Sequence, residues 1–335
     1  MPCSHYFGPA VSRDRADALG TNALPCISCE CTPLSRVDVW EGPMRLLAML
    51  FVLAIMVPIS TMAQTSQEIS FSSNGSAATV LIEEHTATYC TTCAEIDPML
   101  LNFLEDNGNR AIRIAMHPLG EDPLGSEISS HRLALHGGEL AVTPTFVMDG
   151  RVVSQGFVDR MDMQMNLRSS EIAKEGVISI EGEVDVSQNS IHVSSPGLDL
   201  HVEERLTIFI VEREVSLEPG TASNGLDKNH DVARAMLTLD DGGNTTSEIL
   251  PMGWAVHIHD AEAPSVEFFV DEMNPYSYDV VIVLERSEGG DGSVLSSTLI
   301  ALSERSEATQ KISTLPVVAA LASMSIILFI VQSRR

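Results

Sequence analysis

An α/β domain followed by an all-β sandwich is the fold class that this 335-residue chain predicts, and three observations carry it. Strand-like and helix-like runs alternate between residues 78 and 173. From residue 177 the hydrophobic period switches to two and stays there. Two apolar runs, 46–59 and 315–331, bracket the whole, and the length accommodates two domains with accessory segments.

Residues 1–43 are an irregular mixture containing Cys3, Cys26, Cys29 and Cys31 ahead of a good internal start at Met44, and we read them as an extension upstream of the true start. The alternative is a metal-binding arm in which Cys26, Cys29 and Cys31 supply three thiolates. Met44-Arg45, the apolar run and Thr61-Met62-Ala63 have the charged, apolar and small-residue parts of a signal peptide over 44–63. An uncleaved anchor is the other reading of that run.

At the far end, residues 315–331 are 17 residues without a charge, enough to span about 26 Å as a helix. Basic residues stay on the cytoplasmic side, so Arg334-Arg335 predict a cytoplasmic tail over 332–335. Polar residues 303–314 form a stalk. The expectation is a single-pass cell-membrane protein whose bulk is extracytoplasmic.

The first domain is expected over 68–173. Residues 78–84 read as a strand, 92–106 as a helix with Ile96, Met99, Leu100, Phe103 and Leu104 on its apolar side, and 111–116 as the next strand. A loop over 118–125 leads to a short helix over 126–136, with Ser126 as its N-cap and Gly137-Gly138 as its stop. Strands at 146–148 and 152–154 flank Asp149-Gly150, which suits a two-residue hairpin turn. A helix over 159–173 closes the domain, with Met161, Met165 and Ile172 on one side and expected in the core.

The second domain is expected over 176–302. Ile178, Ile180, Val184 and Val186 alternate with Ser179, Glu181, Glu183 and Asp185, the pattern of a half-buried strand. Similar runs at 206–211, 235–239, 254–258, 266–270, 278–284 and 294–302 are separated by Gly, Asn, Asp and Pro clusters. Seven or eight short strands without helices predict an antiparallel, immunoglobulin-like β-sandwich. His257 and His259 share a strand face at i and i+2, a spacing that binds a metal only if a third ligand approaches; surface histidines are the simpler reading.

Charge narrows the partners. With 46 acidic against 20 basic residues the net charge is −26, which opposes nucleic acid and anionic lipid headgroups. Only Lys174, Lys228 and Lys311 are lysines, a composition that suits a marine or halophilic source. Removing residues 1–63 leaves Cys90 and Cys93 as the cysteines of the exported part. That rules out a disulfide-stapled scaffold, and the lack of a second ligand pair argues against a zinc site.

Cys90-Thr91-Thr92-Cys93 lies between a strand and a helix start, where unpaired N–H groups and the helix dipole favour thiolate, the form that attacks disulfides. Pro98 falls inside the helical run. Val142-Thr143-Pro144-Thr145 precedes a strand, and an X-Pro bond there has two possible isomers. Glu83, Glu84, Glu95 and Asp97 surround the pair with only His85 to offset them, so we expect a less depressed Cys90 pKa, and a less oxidising disulfide, than in a strongly oxidising oxidoreductase. His85 and His117 are neighbours able to tune the pair.

Glu84 six residues before Cys90, the C-x-x-C itself, Pro98 and Thr143-Pro144 together resemble the thioredoxin superfamily over roughly residues 79–173. The resemblance implies a thioredoxin-like domain in which Cys90 is the nucleophile, Cys93 resolves the mixed disulfide and a buried Glu84 relays protons. It also implies that Thr143, Pro144 and Tyr89 receive the substrate peptide. The sequence departs from thioredoxin in its Thr-Thr dipeptide, in Tyr89 for tryptophan and in glutamate for aspartate. Glu83-Glu84-x-Thr86, Glu212, residues 229–234 and Asn274-Pro275 loosely resemble a family of secreted thioredoxin-fold proteins described as outer-membrane proteins.

The implied function is that of a membrane-anchored thiol–disulfide oxidoreductase with protein thiols or disulfides as clients, a possible membrane electron donor, no organic cofactor and no metal. The competing class is an adhesion or interaction protein with a structural Cys90–Cys93 bond. A copper-delivery protein using the pair and a nearby histidine is a third.

Overall fold

Period-two sequence forms the first strand, Gln67–Ser72 (β1): Ile69 and Phe71 turn toward a core while Glu68, Ser70 and Ser72 stay exposed. The computed structural model describes residues 67–73, 79–137, 142–174, 178–260, 263–270, 274–286 and 293–302, all within one compact unit that starts at Met62. The segments read as N-terminal extension, signal peptide, stalk, membrane helix and tail lie outside the described residues. Among the described residues no helix is long and apolar enough to cross a membrane. The architecture there is mostly β-sheet, with fourteen strands and three α-helices.

After β1 come Val80–His85 (β2), Thr91–Asn107 (α1), Ala111–Met116 (β3), Glu127–Leu135 (α2), Thr145–Met148 (β4), Arg151–Gln155 (β5) and Arg160–Ala173 (α3). β2 runs parallel to β3 and antiparallel to β4, which pairs with β5. Asp149 and Gly150 between β4 and β5 have φ of 47° and 84°, the left-handed pair that a two-residue hairpin turn requires. α2 begins at Ser126, whose Oγ accepts from the Ile128 N–H at 3.3 Å, and α3 at Asp159, whose Oδ1 accepts from the Asp162 N–H at 2.9 Å.

α1 buries Cys93, Ile96, Leu100, Phe103 and Asn107, the expected face. α3 reverses its expectation. Met161, Met165 and Ile172 are exposed, and Met163, Leu167 and Ser170 are buried instead. The helix carries two apolar stripes, and the one facing α1 and the sheet is the one that becomes core.

The second half comprises Glu181–Val186 (β6), Ser190–Ser194 (β7), Glu204–Ser216 (β8), Lys228–Asp240 (β9), Thr245–Ile249 (β10), Ala255–Asp260 (β11), Ser265–Phe269 (β12), Tyr278–Arg286 (β13) and Val294–Ala301 (β14). One antiparallel sheet has the order β1-β6-β7-β12-β11, so the strand that precedes the α/β part pairs with β6. Opposite Phe71 in that pairing stands Gly182. A Cβ there would meet the Ser194 carbonyl at 2.1 Å and the Phe71 ring at 2.8 Å, so the close approach admits only glycine.

The other sheet continues through both halves, in the order β14-β13-β8-β9-β3-β2-β4-β5, with β10 beside the distal part of β9. β9 meets β3 at one parallel bridge, Ala115 to Val232. Apolar residues of β6, β7, β8, β9, β12 and β13 fill the space between the two sheets. The outer face of β8, β9 and β13, with Phe209, Val211, Met236, Val281 and Val283, packs on Leu81, Ile112, Ile114, Met116 and Ile128. The opposite face of β2 and β4 is covered by α1 and α3.

A buried ionic link joins the halves. Arg132 of α2 donates through Nε to Glu83 Oε1 at 3.1 Å and through Nη1 to Glu285 Oε1 of β13 at 2.8 Å. His136 Nε2 lies 3.0 Å from Glu83 Oε2, and Thr207 of β8 donates to Glu285 at 2.5 Å. Burial pushes the Glu83 carboxyl up, but Arg132, with His136 beside it, outweighs this and holds it well below the usual carboxylate range.

Candidate functional site

β2 delivers the chain to a tight turn: the Thr86 N–H donates to the Met116 carbonyl at 3.1 Å and the Cys90 N–H to the Ala87 carbonyl at 3.0 Å. Cys90 then caps α1 in extended conformation, and its Sγ accepts from the Cys93 N–H at 3.0 Å. The two sulfurs form a disulfide with an S–S length of 2.05 Å. Cys90 is 8% exposed and Cys93 2%, in a small cluster with Ala87 that is separate from the larger cores. Tyr89 beside them is 47% exposed.

Thr143-Pro144 is a cis peptide bond. Pro144 is buried, and Thr145 immediately after it pairs with His85, so the cis segment lies at the end of β2 from which the chain runs to Cys90. The Gly156 N–H donates to the Pro144 carbonyl at 2.7 Å. Val142, just before this segment, and Phe157, just after Gly156, are exposed apolar side chains.

Alternation along β2 sends Glu83 and Glu84 to opposite faces, Glu83 to α2 and Glu84 to the side of α1. Glu84 is buried, 3.6 Å from the guanidinium of Arg113 on β3. That same guanidinium reaches Asp97 of α1 at 3.0 Å and Asp231 of β9 at 3.2 Å, and donates to the His230 carbonyl at 2.8 Å. Burial drives the Glu84 carboxyl up; Arg113 opposes this, Asp97 and Asp231 add to it, and the result is a pKa of about 7. One guanidinium shared among three carboxylates compensates only part of the burial of Glu84.

Arg113 and Arg132 correct the expectation that only His85 offsets the acidic residues near the cysteines. His85 itself is buried, with Nδ1 3.1 Å from Ser129 Oγ, and burial pushes its pKa down to about 4, so it is neutral. His117 lies 3.0 Å from Asp122 Oδ2, and the same oxygen accepts the Thr88 N–H at 2.7 Å. Through Asp122, the 117–126 loop therefore holds the turn before Cys90.

Sequence reasoning missed Asn224, which reaches the cysteine turn from the β8–β9 connection. Its Nδ2 donates to the Ala87 carbonyl at 3.1 Å and the Cys90 carbonyl at 3.3 Å, and its N–H to the Thr88 carbonyl at 3.0 Å. It lies 134 positions from Cys90, and no local spacing marks it.

Farther off, residues 229–234 open β9 at its bridge to β3, where Asp231 adopts φ 56° and Arg234 pairs with Glu212 at 2.7 Å. His259 lies 3.0 Å from Glu267 and His257 packs edge-on against Phe269. Among the described residues no group of three or more His, Cys, Asp or Glu side chains is arranged to hold a metal ion.

In comparisons with known proteins, no family model, no curated protein and no solved structure matches this chain.

Proposed function

We propose that the chain is a thiol–disulfide oxidoreductase, with residues 79–173 as a thioredoxin-like domain and the following strands as an immunoglobulin-like sandwich. The observation that carries this reading is the Cys90–Cys93 pair at the N-terminus of α1, reached from β2, whose buried Glu84 has a pKa raised to about 7. The Thr143-Pro144 segment at the same strand end supports it as a peptide-receiving edge, and Tyr89 is exposed in the cysteine turn. The apolar runs at 46–59 and 315–331 support export and anchoring in the cell membrane.

In the reduced state the Cys90 thiolate, favoured by the α1 N-terminus, attacks a client disulfide and releases one client thiolate, which takes up a proton. Ionised Glu84 accepts the Cys93 proton, and the Cys93 thiolate attacks Cys90 Sγ in the mixed disulfide. The second client thiolate leaves and is protonated, and the Cys90–Cys93 disulfide has formed. The client gains two electrons and the protein loses two. Run backwards, the same atoms oxidise a client dithiol. In an oxidising compartment the forward direction needs an electron donor on the membrane side.

The burial of both sulfurs favours a second reading, an adhesion protein whose disulfide is structural. Titration of the native protein in glutathione buffers separates the two. The oxidoreductase reading expects reversible exchange at the pair, loss of exchange in Cys90→Ser, and client mixed disulfides retained through Cys90 in Cys93→Ala. A pair that stays oxidised until the protein unfolds sinks it in favour of the structural bond.

A further inference from the structure

The turn that carries Cys90 is gripped from both halves of the molecule. Asp122 holds the Thr88 N–H from one side. Asn224 holds the carbonyls of Ala87, Thr88 and Cys90 from the other. The orientation of its amide is fixed, because Oδ1 accepts the Leu226 N–H at 3.0 Å while Nδ2 faces carbonyl oxygens. The loop presenting it is itself well tied: the Leu217 N–H donates to the Asp227 carbonyl at 2.7 Å, Gly225 turns at φ 86°, and Ala222 is buried.

We propose that Asn224 of the β8–β9 loop is a positioning residue that fixes the Cys90 turn against α1 and so biases the cysteine pair toward its closed, oxidised form. This rests on the oxidoreductase reading. The Cys90 carbonyl held by Asn224 is also the first acceptor of α1, taking the Ala94 N–H at 3.2 Å. Cys93 rides on the helix, whereas Cys90 ends the turn. Fixing the turn to the helix start holds one sulfur within bonding reach of the other and raises their effective concentration for ring closure. Without the clamp, reduction lets the turn drift from the helix, and closing it again costs conformational entropy.

The test is the glutathione equilibrium of Asn224→Ala and Asn224→Asp against the wild type. One glutathione thiolate attacks the pair, giving a mixed disulfide at Cys90 and a free Cys93 thiol. A second displaces Cys90 as thiol and leaves as oxidised glutathione, so two electrons and two protons pass to the protein. The expected result is a shift of the equilibrium toward the dithiol by about fivefold, roughly the worth of one neutral hydrogen bond. The shift is larger in Asn224→Asp, which keeps the Oδ1 acceptor for Leu226 but turns a carboxylate on two carbonyls.

A loop that is merely structural lowers the melting temperature of oxidised and reduced forms alike and leaves the glutathione midpoint unmoved; that outcome in folded variants overturns the proposal. A wild-type pair that does not exchange at all is a different failure, which removes the oxidoreductase reading and the clamp with it. Asn224→Asp keeps the test decisive if the alanine variant does not fold.

Discussion

Glu83 and Glu84 are chemically alike neighbours whose fates diverge because successive side chains on a strand face opposite ways. Glu83 is held down by Arg132 and His136 against the push of burial, so its stabilisation is present above the ordinary carboxylate value of 4.5 and is lost as pH falls below it. Glu84 is raised by burial to about 7, so its contribution is complete below 4.5 and is lost as pH rises through 7. Neutral His85, lowered by burial to about 4, works in the opposite sense in the overlapping window, costing stability as pH falls below 6.5. The clean observable is therefore a difference. The unfolding free energy of Glu84→Gln minus that of the wild type should rise from pH 5 to pH 8 by on the order of 1–3 kcal/mol. Urea unfolding at several pH values measures it, and a flat difference would falsify the buried-acid assignment. That Glu84 lies near the end of the strand leading to the cysteine turn was legible from its place in the sequence. Its raised proton affinity was not, since Asp97, Arg113 and Asp231 come from three different elements.

At the scale of elements, α3 shows where periodicity runs out. Met161, Met165 and Ile172 make a helical stripe, and so do Met163, Leu167 and Ser170, about 180° away around the helix. Only the position of α1 and the sheet selects the second stripe for the core. Met163→Ala should therefore cost about 2–5 kcal/mol of stability, and Met161→Ala within about 0.5 kcal/mol of nothing. Equal losses in thermal or urea unfolding would mean that the helix is rotated from this placement. α1 carried a single apolar stripe, and its buried face agrees with the pattern; β3 agrees to the residue. β10, a polar Thr-Thr-Ser-Glu-Ile run, gave no periodic signal and exists because β9 offers it an edge. β1 did alternate, but its partner β6 lies more than a hundred residues on, beyond reach of a local pattern.

For the whole molecule, the decisive feature is that one sheet runs through both halves. The apolar run of β13 is buried on both faces because β8, β9 and β13 pack on the opposite sheet one way and on β2, β3 and α2 the other. Arg132 spans that second layer between Glu83 and Glu285. Removing it strands two buried carboxylates, and Arg132→Ala should cost roughly 3–5 kcal/mol. Because the layer is shared, residues 67–302 should unfold in a single calorimetric transition that Arg132→Ala moves as a unit. Two separable transitions, with only one displaced by the substitution, would show that the halves are independent.

The sequence by itself determined the order of α/β part and strands, the strand-to-helix setting of Cys90 and Cys93, the hairpin at Asp149-Gly150 and the cap at Ser126. Each is encoded in a few neighbouring residues through side-chain period, turn conformation or an unpaired N–H. Only the tertiary structure decided that β1 joins the far sheet, which stripe of α3 is buried, that Thr143-Pro144 is cis, that Asn224 reaches the cysteine turn, and that Asp231 reaches the Arg113 guanidinium beside Glu84. Those outcomes depend on groups brought together from distant parts of the chain, and packing between them, not local spacing, sets their energies.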